Sequence, residues 1–124
     1  MNAQDIAAIG YTQSAQPLRT PRATEYEVFA RVTRDLKEAL ADAPSNVSRL
    51  AAAIHRNRNL WTILATDLAD KGNQLPNPLK AQLLALSEFV RLHSSEVLNN
   101  QSKGDILVEI NASIMKGLSQ EVPQ

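Results

Sequence analysis

The chain of 124 residues contains no cysteine. Disulfide bonds, thiolate nucleophiles and thiolate metal ligands are therefore excluded as sources of stability or chemistry. The first residues lack the basic segment and long apolar run of a secretory signal. No apolar run approaches the roughly 18 residues that span a bilayer. We therefore expect a soluble, cytoplasmic protein with no membrane association.

Glycine is also scarce, and the four glycines, at positions 10, 72, 104 and 117, are isolated from one another. The phosphate-binding loops GxxxxGK[ST] and GxGxxG are both absent, so nucleotide binding by such loops is not expected. Thirteen basic residues balance thirteen acidic ones. Non-specific binding to nucleic acid needs clustered Lys and Arg, and base stacking needs aromatic side chains, which are few here. Nucleic acid is therefore not expected as a direct partner.

Apolar residues recur at spacings of three and four along four segments, which is the pattern of amphipathic helices. No segment alternates with a period of two, so strands are not expected. We predict an all-α fold, a small four-helix bundle over residues 21–120 that follows a flexible N-terminal arm over residues 1–20. The predicted inward stripes are Phe29, Val32, Leu36 and Leu40; Val47, Leu50, Ile54, Trp61, Leu64 and Leu68; Leu79, Leu83, Leu86 and Val90, with Leu84, Phe89 and Val97 beside them; and Leu107, Ile110, Ile114 and Leu118.

Capping residues, prolines and a glycine indicate where these helices begin and end. Ser45 is the expected N-cap of the second helix and Asn77 that of the third. Gly72 is expected in the left-handed conformation beyond the end of the second helix. The predicted helices run from Thr20-Pro21 to residues 42–44, from Ser45 to residues 71–73, from Asn77-Pro78 to the turn at residues 99–102, and from about Asp105 onward.

The stretch HRNRNLWTIL, residues 55–64, holds the only tryptophan. Trp61 lies on the apolar line of the second helix, and a buried indole N–H needs a hydrogen-bond acceptor. Asn57, four residues earlier, is expected either to accept that bond or to tie down a neighbouring helix. We interpret Trp61 as a core anchor. Arg56 and Arg58, with Arg49, form either a solvated face with i,i+4 partners or a patch for an acidic partner or RNA phosphate.

His93 and Glu96 are three residues apart and therefore share one face of the third helix. Di-metal helical bundles use Glu-x-x-His with a second such pair, whereas here the order is reversed and no second pair exists. A Ser–His–carboxylate triad lacks the strand-to-helix elbow that presents the nucleophile. We therefore predict a non-enzymatic protein without a metal or cofactor, and we interpret His93 and Glu96 as a surface pair.

Three sequence elements, taken together with their order and spacing, resemble the FlaF family of alphaproteobacterial flagellar regulators. They are an asparagine before a Leu-Trp pair, an Asn-x-Leu-Pro loop, and a closing Leu-Ile-x-Ile-Asn-x-x-Ile-x-x-Gly-Leu. The residues that match them are Asn57, Leu60 and Trp61; Leu75 and Pro76; and Leu107, Ile110, Asn111, Ile114, Gly117 and Leu118, with Val108 where isoleucine is usual. At the front, Gly10-Tyr11 and Pro21-Arg22 with Glu25 are similar to further family elements.

The resemblance implies a small cytoplasmic helical protein that promotes flagellin synthesis or export together with a second regulator, FlbT. The form we favour is a chaperone-like protein that binds flagellin, whose terminal segments are amphipathic helices, in an apolar groove. The alternative is a post-transcriptional regulator that acts on flagellin messenger RNA, directly or with FlbT. The candidate partner-binding residues are Tyr11, Arg22, Arg56 and Arg58.

Overall fold

A computed structural model describes residues 21–121, with side chains for residues 25–117. Every regular element in that range is a helix: α1 is Pro21–Ala41, α2 is Val47–Ala69, α3 is Asn77–Leu98 and α4 is Asp105–Glu121. The prediction of an all-α four-helix bundle is confirmed. The predicted arm, residues 1–20, lies outside the described residues, and the division of the chain at residue 20 stays a prediction.

The four helices are not packed equally against one another. The α1 helix packs closely against both α2 and α4, and α2 also packs along α3. The α3 and α4 helices, although consecutive in the chain, share the smallest contact of the neighbouring pairs. The α3 helix is therefore held mainly through one neighbour, α2.

The core lies where α1, α2 and α4 meet, and Trp61 is at its centre. The indole ring is 1% exposed and meets Phe29 of α1 edge to face, with ring centroids 6.0 Å apart and planes at 86°. Most residues of the predicted stripes are buried or half-buried, with Leu36, Ile54, Trp61, Val90 and Leu107 almost fully inaccessible. The prediction that Trp61 is a core residue is confirmed.

Four residues of the predicted apolar lines and their flanks are more exposed than expected. Val47 is 72% exposed because it is the first residue of α2, at the end of the bundle. Leu79, in the first turn of α3, is 36% exposed, and Leu84 and Phe89, further along α3, are 37% and 43% exposed. Val47 and Leu79 depart from the pattern because helix ends project past their neighbours, whereas Leu84 and Phe89 belong to a larger feature of α3 described below.

The predicted cap of α2 is wrong by one residue. Asn46 is the N-cap, and its Oδ1 accepts the backbone N–H of Arg49 at 3.0 Å. Ser45 belongs to the preceding turn, where its hydroxyl donates to the backbone carbonyl of Asp42 at 3.1 Å. Both residue types cap helices well, so the sequence alone did not distinguish the two positions.

Gly72 was wrongly predicted to be left-handed. No glycine in residues 21–121 has a positive φ. The α2 helix ends at Ala69, and its C-cap is Asp70, whose backbone is extended and whose Oδ1 accepts the N–H of Gly72 at 3.0 Å. That N–H holds the pKa of the Asp70 carboxyl below its ordinary value, since it stabilises the ionised form.

The N-terminus of α3 also differs from the prediction. Asn77 is the first helical residue and Pro76 occupies the cap position, which has no side-chain hydrogen bond. Proline still falls within the first turn, at Pro78, as the pattern indicates. At the other end of α3 the predicted turn is present, and Asn100 has a φ of 59°, a conformation that asparagine tolerates.

The loop between α3 and α4 approaches α1 closely at Gly104. A Cβ added at this buried glycine would lie 2.5 Å from Cδ2 of Leu40. The absence of a side chain therefore lets the start of α4 lie against the end of α1.

Candidate functional site

Four polar side chains from three helices form a hydrogen-bonded cluster inside the core. The indole Nε1 of Trp61 donates to Oδ1 of Asn111 at 2.8 Å. The Asn111 amide in turn donates to Oδ1 of Asn57 at 2.8 Å and to the hydroxyl of Thr33 at 3.0 Å. Asn57 and Asn111 are fully buried. Asn111 of α4 thus connects α4 to both α1 and α2.

This geometry decides between the two roles predicted for Asn57. The indole donates to Asn111, so the alternative in which Asn57 accepts the indole hydrogen bond is wrong, and the alternative in which Asn57 ties α2 to a neighbouring helix, α4, is confirmed. The Nδ2 atom of Asn57 is buried without a hydrogen-bond partner. A buried polar group that lacks one partner is costly, so the cluster favours one arrangement of helices more than it adds stability.

The remaining residues of the three resemblance elements are also structural where the structure describes them. Leu60 is buried in the core and Leu75 is half-buried against it. The side-chain Oδ1 of Asn73 accepts the N–H of Leu75 at 3.0 Å, and the backbone carbonyl of Asn73 accepts a hydrogen bond from the Lys80 ammonium at 2.6 Å. These two hydrogen bonds hold the loop before Pro76. Asn73 is the asparagine of the Asn-x-Leu-Pro element, and its contacts are those of a turn in which asparagine bonds the backbone two residues later.

Gly117 and Leu118 close the third element. A Cβ added at Gly117 would meet nothing within 4 Å, so no contact of the described residues explains a glycine there. The side chain of Leu118 lies outside the described residues.

Two arginines of α2 form ion pairs with α1 rather than with residues of their own helix. Arg56 pairs with Asp35, which its Nε contacts at 3.0 Å. Arg49 pairs with Glu38 at 3.2 Å and with Asp42. The solvated-face interpretation is thus closer to the geometry than a free basic patch, although the partners come from the neighbouring helix.

Arg58 lies on the other flank of α2 and contacts α3. Its Nη2 donates to the backbone carbonyl of Arg91 at 3.0 Å and to the hydroxyl of Ser95 at 2.8 Å. The side chain is half-buried, so Arg58 acts as a clamp between α2 and α3 in this structure.

Two further candidate partner-binding residues fall outside this description. Tyr11 lies outside the described residues, and so does the side chain of Arg22, whose backbone is in the first turn of α1. Both remain predictions.

His93 and Glu96 do not form a shared site. A ring nitrogen of His93 lies 2.8 Å from the carbonyl of Lys103, and the ring stacks on Phe89 at 5.1 Å. The carboxylate of Glu96 accepts the hydroxyl of Ser102 at 2.7 Å. Within residues 25–117, no three His, Asp or Glu side chains gather in a metal-binding arrangement.

The surface of α3 carries the feature that sequence reasoning missed. Of its 22 residues only Val90, Ser94 and Val97 are buried, and the hydroxyl of Ser94 has no hydrogen-bond partner. Five of the seven exposed large apolar side chains of residues 25–117 lie on this helix: Leu79, Leu84, Phe89, Leu92 and Leu98. Scattered exposed apolar residues are ordinary, but three of these five, Leu84, Phe89 and Leu92, share the outward side of α3, which makes that side the candidate binding surface.

A signal for this surface was present in the sequence. The α3 segment contains more large apolar residues than one side of a helix can turn toward a core, and several fall beside the inward stripe. Such an excess indicates a second apolar side.

Fold and surface together define a small all-α protein that leaves apolar side chains of one helix, α3, exposed. The family comparison makes that class specific: the model of the family described as flagellar protein FlaF matches residues 7–118, so the chain belongs to the FlaF family. The resemblance seen in the sequence is thereby confirmed. Membership gives the chain a role in flagellar biogenesis or its regulation, and FlaF is not a known enzyme family.

The other comparisons add no relative, since neither the curated proteins nor the solved structures gave a match. Within the described residues, no helix has the length and apolar character needed to cross a membrane.

Proposed function

We propose that this protein binds flagellin in the cytoplasm as a chaperone-like factor and thereby promotes flagellin synthesis or export. Two findings support the proposal: membership of a flagellar protein family, and the exposed apolar side chains of α3. A partner that presents an amphipathic helix gains binding energy by covering such a surface. The terminal segments of flagellin, as the family resemblance implies, are helices of that kind.

The observation that carries the proposal is the contrast between the two sides of the bundle. The basic residues predicted to meet RNA are engaged within the protein: Arg49 and Arg56 pair with acids of α1, and Arg58 binds α3. Phosphate binding would have to break these contacts. The exposed apolar side chains of α3, in contrast, can be covered by a partner without breaking an ion pair or a hydrogen bond of theirs, which favours a protein partner over RNA.

Control of flagellin messenger would then pass through a second protein, FlbT, rather than through direct contact between this chain and RNA. Regulation through FlbT leaves the contacts of Arg56 and Arg58 intact, whereas direct RNA binding would break them.

Isothermal titration calorimetry with purified flagellin tests the proposal. We expect one flagellin per chain, with a dissociation constant in the micromolar range or below and a negative heat-capacity change from apolar burial. Absence of heat at about 50 μM protein, a concentration at which micromolar binding saturates, would contradict it.

Two glutamate substitutions make the experiment specific to α3. Leu84→Glu places a charge among the exposed apolar residues of α3 and should weaken flagellin binding at least tenfold. Val47→Glu is the matched control, because Val47 is also an exposed apolar residue but lies at the start of α2. Equal affinities for the two variants would exclude α3 as the binding surface.

A parallel titration with flagellin messenger RNA separates the alternative. Direct regulation predicts salt-dependent RNA binding that falls when Arg56 is changed to Glu. RNA affinity that is unaffected by Arg56→Glu would exclude the basic face of α2 as an RNA site.

A further inference from the structure

One side of α3 carries a continuous stripe of exposed residues that no part of the described bundle covers. We define the outer stripe as Ala81, Leu84, Ala85, Glu88, Phe89 and Leu92, all of which are exposed. Its centre line, residues 81, 85, 88 and 92, advances in steps of four, three and four, the repeat of a helix–helix seam. At 100° per residue it lies opposite the buried line of Val90, Ser94 and Val97.

The order of side-chain sizes along this centre line indicates which partner helix can pack against it. Two alanines stand toward the N-terminus, at 81 and 85, and the large Leu92 stands toward the C-terminus. In an antiparallel pairing of two α3 helices about a twofold axis between residues 86 and 87, Ala81 of each copy faces Leu92 of the other. Each alanine at position 81 then packs against a large leucine, whereas a parallel pairing would place alanine against alanine and leucine against leucine.

We propose that the outer stripe is the contact surface for a second copy of this chain, which forms an antiparallel α3–α3 dimer. Leu84 and Phe89 flank the centre line on opposite sides and extend the apolar contact. The inference rests on this stripe alone and does not depend on flagellin binding.

The charges of the stripe permit this pairing. Glu88 lies on the centre line, but Arg91 of the same helix binds its carboxylate, at 2.6 Å and 3.1 Å, so the pair adds no net charge to the surface. Ala85 of the second copy would face Glu88 and leave it room. The whole chain also has a formal net charge of zero, so two copies do not repel one another at long range.

The size of the stripe sets the expected strength. A single helix face is small beside the roughly 1,600 Å² that stable protein complexes bury, and its centre includes a carboxylate. The dimer is therefore expected to be reversible, with a dissociation constant in the micromolar range.

Sedimentation equilibrium of the full chain at concentrations from about 5 to 500 μM, which bracket that range, tests the proposal. We expect a monomer–dimer equilibrium that Leu92→Glu abolishes and that Val47→Glu leaves unchanged. Glu88→Leu should tighten the dimer at least tenfold, because it replaces the only charge of the centre line with an apolar side chain. A monomer at every concentration, or a dimer whose dissociation constant is unchanged by Leu92→Glu, would overturn the proposal.

Cysteine cross-linking tests the antiparallel register, and the absence of native cysteine makes it unambiguous. Ala81→Cys and Leu92→Cys are prepared separately, mixed and oxidised. Facing positions can meet within the 4.4–6.8 Å of Cα separation, roughly, that a disulfide needs. Like positions in the antiparallel pair are offset by about 16 Å along the helix axis. We expect the mixed disulfide only. Disulfides between identical variants would overturn the antiparallel arrangement.

The same variants distinguish this proposal from the proposed function. If Leu92→Glu weakens flagellin binding while the unmodified chain stays monomeric, the stripe belongs to the partner and the dimer proposal fails. If the chain dimerises through the stripe but gives no heat with flagellin, the proposed function fails and the dimer stands.

Discussion

Replacing Asn111 with leucine should destabilise the bundle strongly, although leucine has the same branching as asparagine. The substitution removes the acceptor of the Trp61 indole and the donor to Asn57 and Thr33. The indole and the Asn57 amide stay fully buried, and each buried polar group without its partner costs about 1–3 kcal/mol. The expected loss is therefore about 2–6 kcal/mol, against a total stability of about 5–15 kcal/mol for a domain of this kind.

A double-mutant cycle measures the coupling between Trp61 and Asn111. Trp61→Phe keeps an aromatic ring beside Phe29 but removes the indole N–H. In the Trp61→Phe protein, Asn111→Leu leaves one buried polar group fewer without a partner, because the indole N–H is already absent. The double variant should therefore lose less free energy of unfolding than the sum of the two single variants, by about 1–2 kcal/mol. Urea unfolding followed by far-UV circular dichroism gives all four stabilities and does not depend on tryptophan fluorescence.

Two outcomes would refute this account. Additivity of the two substitutions within about 0.5 kcal/mol would mean that the hydrogen bond between them carries no coupling. An Asn111→Leu protein as stable as the unmodified chain would mean that the cluster is replaceable by apolar packing, as buried polar groups sometimes are.

Three further predictions follow from single contacts. Asn46→Ala should lower the free energy of unfolding by about 1 kcal/mol in urea unfolding, whereas Ser45→Ala should change it much less, because only Asn46 caps α2; equal losses would contradict the cap assignment. Arg58→Met should lower the free energy of unfolding by about 1–2 kcal/mol, because it breaks half-buried hydrogen bonds to α3. Arg56→Met breaks an exposed ion pair and should lower it by less than about 1 kcal/mol. The reverse order in urea unfolding would contradict the role of Arg58 as a clamp. In an NMR titration the Glu88 carboxyl should have a pKa below its ordinary 4.5, because Arg91 binds the ionised form. The contact is therefore present at neutral pH and is lost as the pH falls through the lowered pKa. Arg91→Met should raise the pKa of Glu88 toward 4.5, and an unchanged pKa would contradict the pairing.

The helices and their inward faces followed from the sequence because spacing at three and four is a local property that packing then exploits. The fold class, the start of α1 at Pro21 and the burial of Trp61 were all predicted in this way. The cap at Asn46 rather than Ser45 was not, since two good capping residues stand side by side and only the geometry of the preceding turn selects one.

The partners of polar side chains were harder to predict because they lie far apart in the chain. Asn57 and Trp61 are one helical turn apart, yet the residue that joins them, Asn111, comes from another helix fifty residues later. The same applies to Arg56 and Arg58, whose partners are on α1 and α3. Spacing along one helix identifies neighbours on that helix only, so contacts between helices required the structure.

The positions that identify the family and the surface that we propose for partner binding are separate in this protein. The residues that match the three elements lie in α2, in the loop before α3 and in α4, and those of them with described side chains mainly build the core. The α3 helix carries none of them, yet it holds most of the exposed apolar side chains. A substitution at Trp61 or Asn111 that abolishes flagellar function would therefore show only that the bundle must fold. Substitutions on the outer stripe, which leave the core intact, are the ones that can distinguish binding from folding.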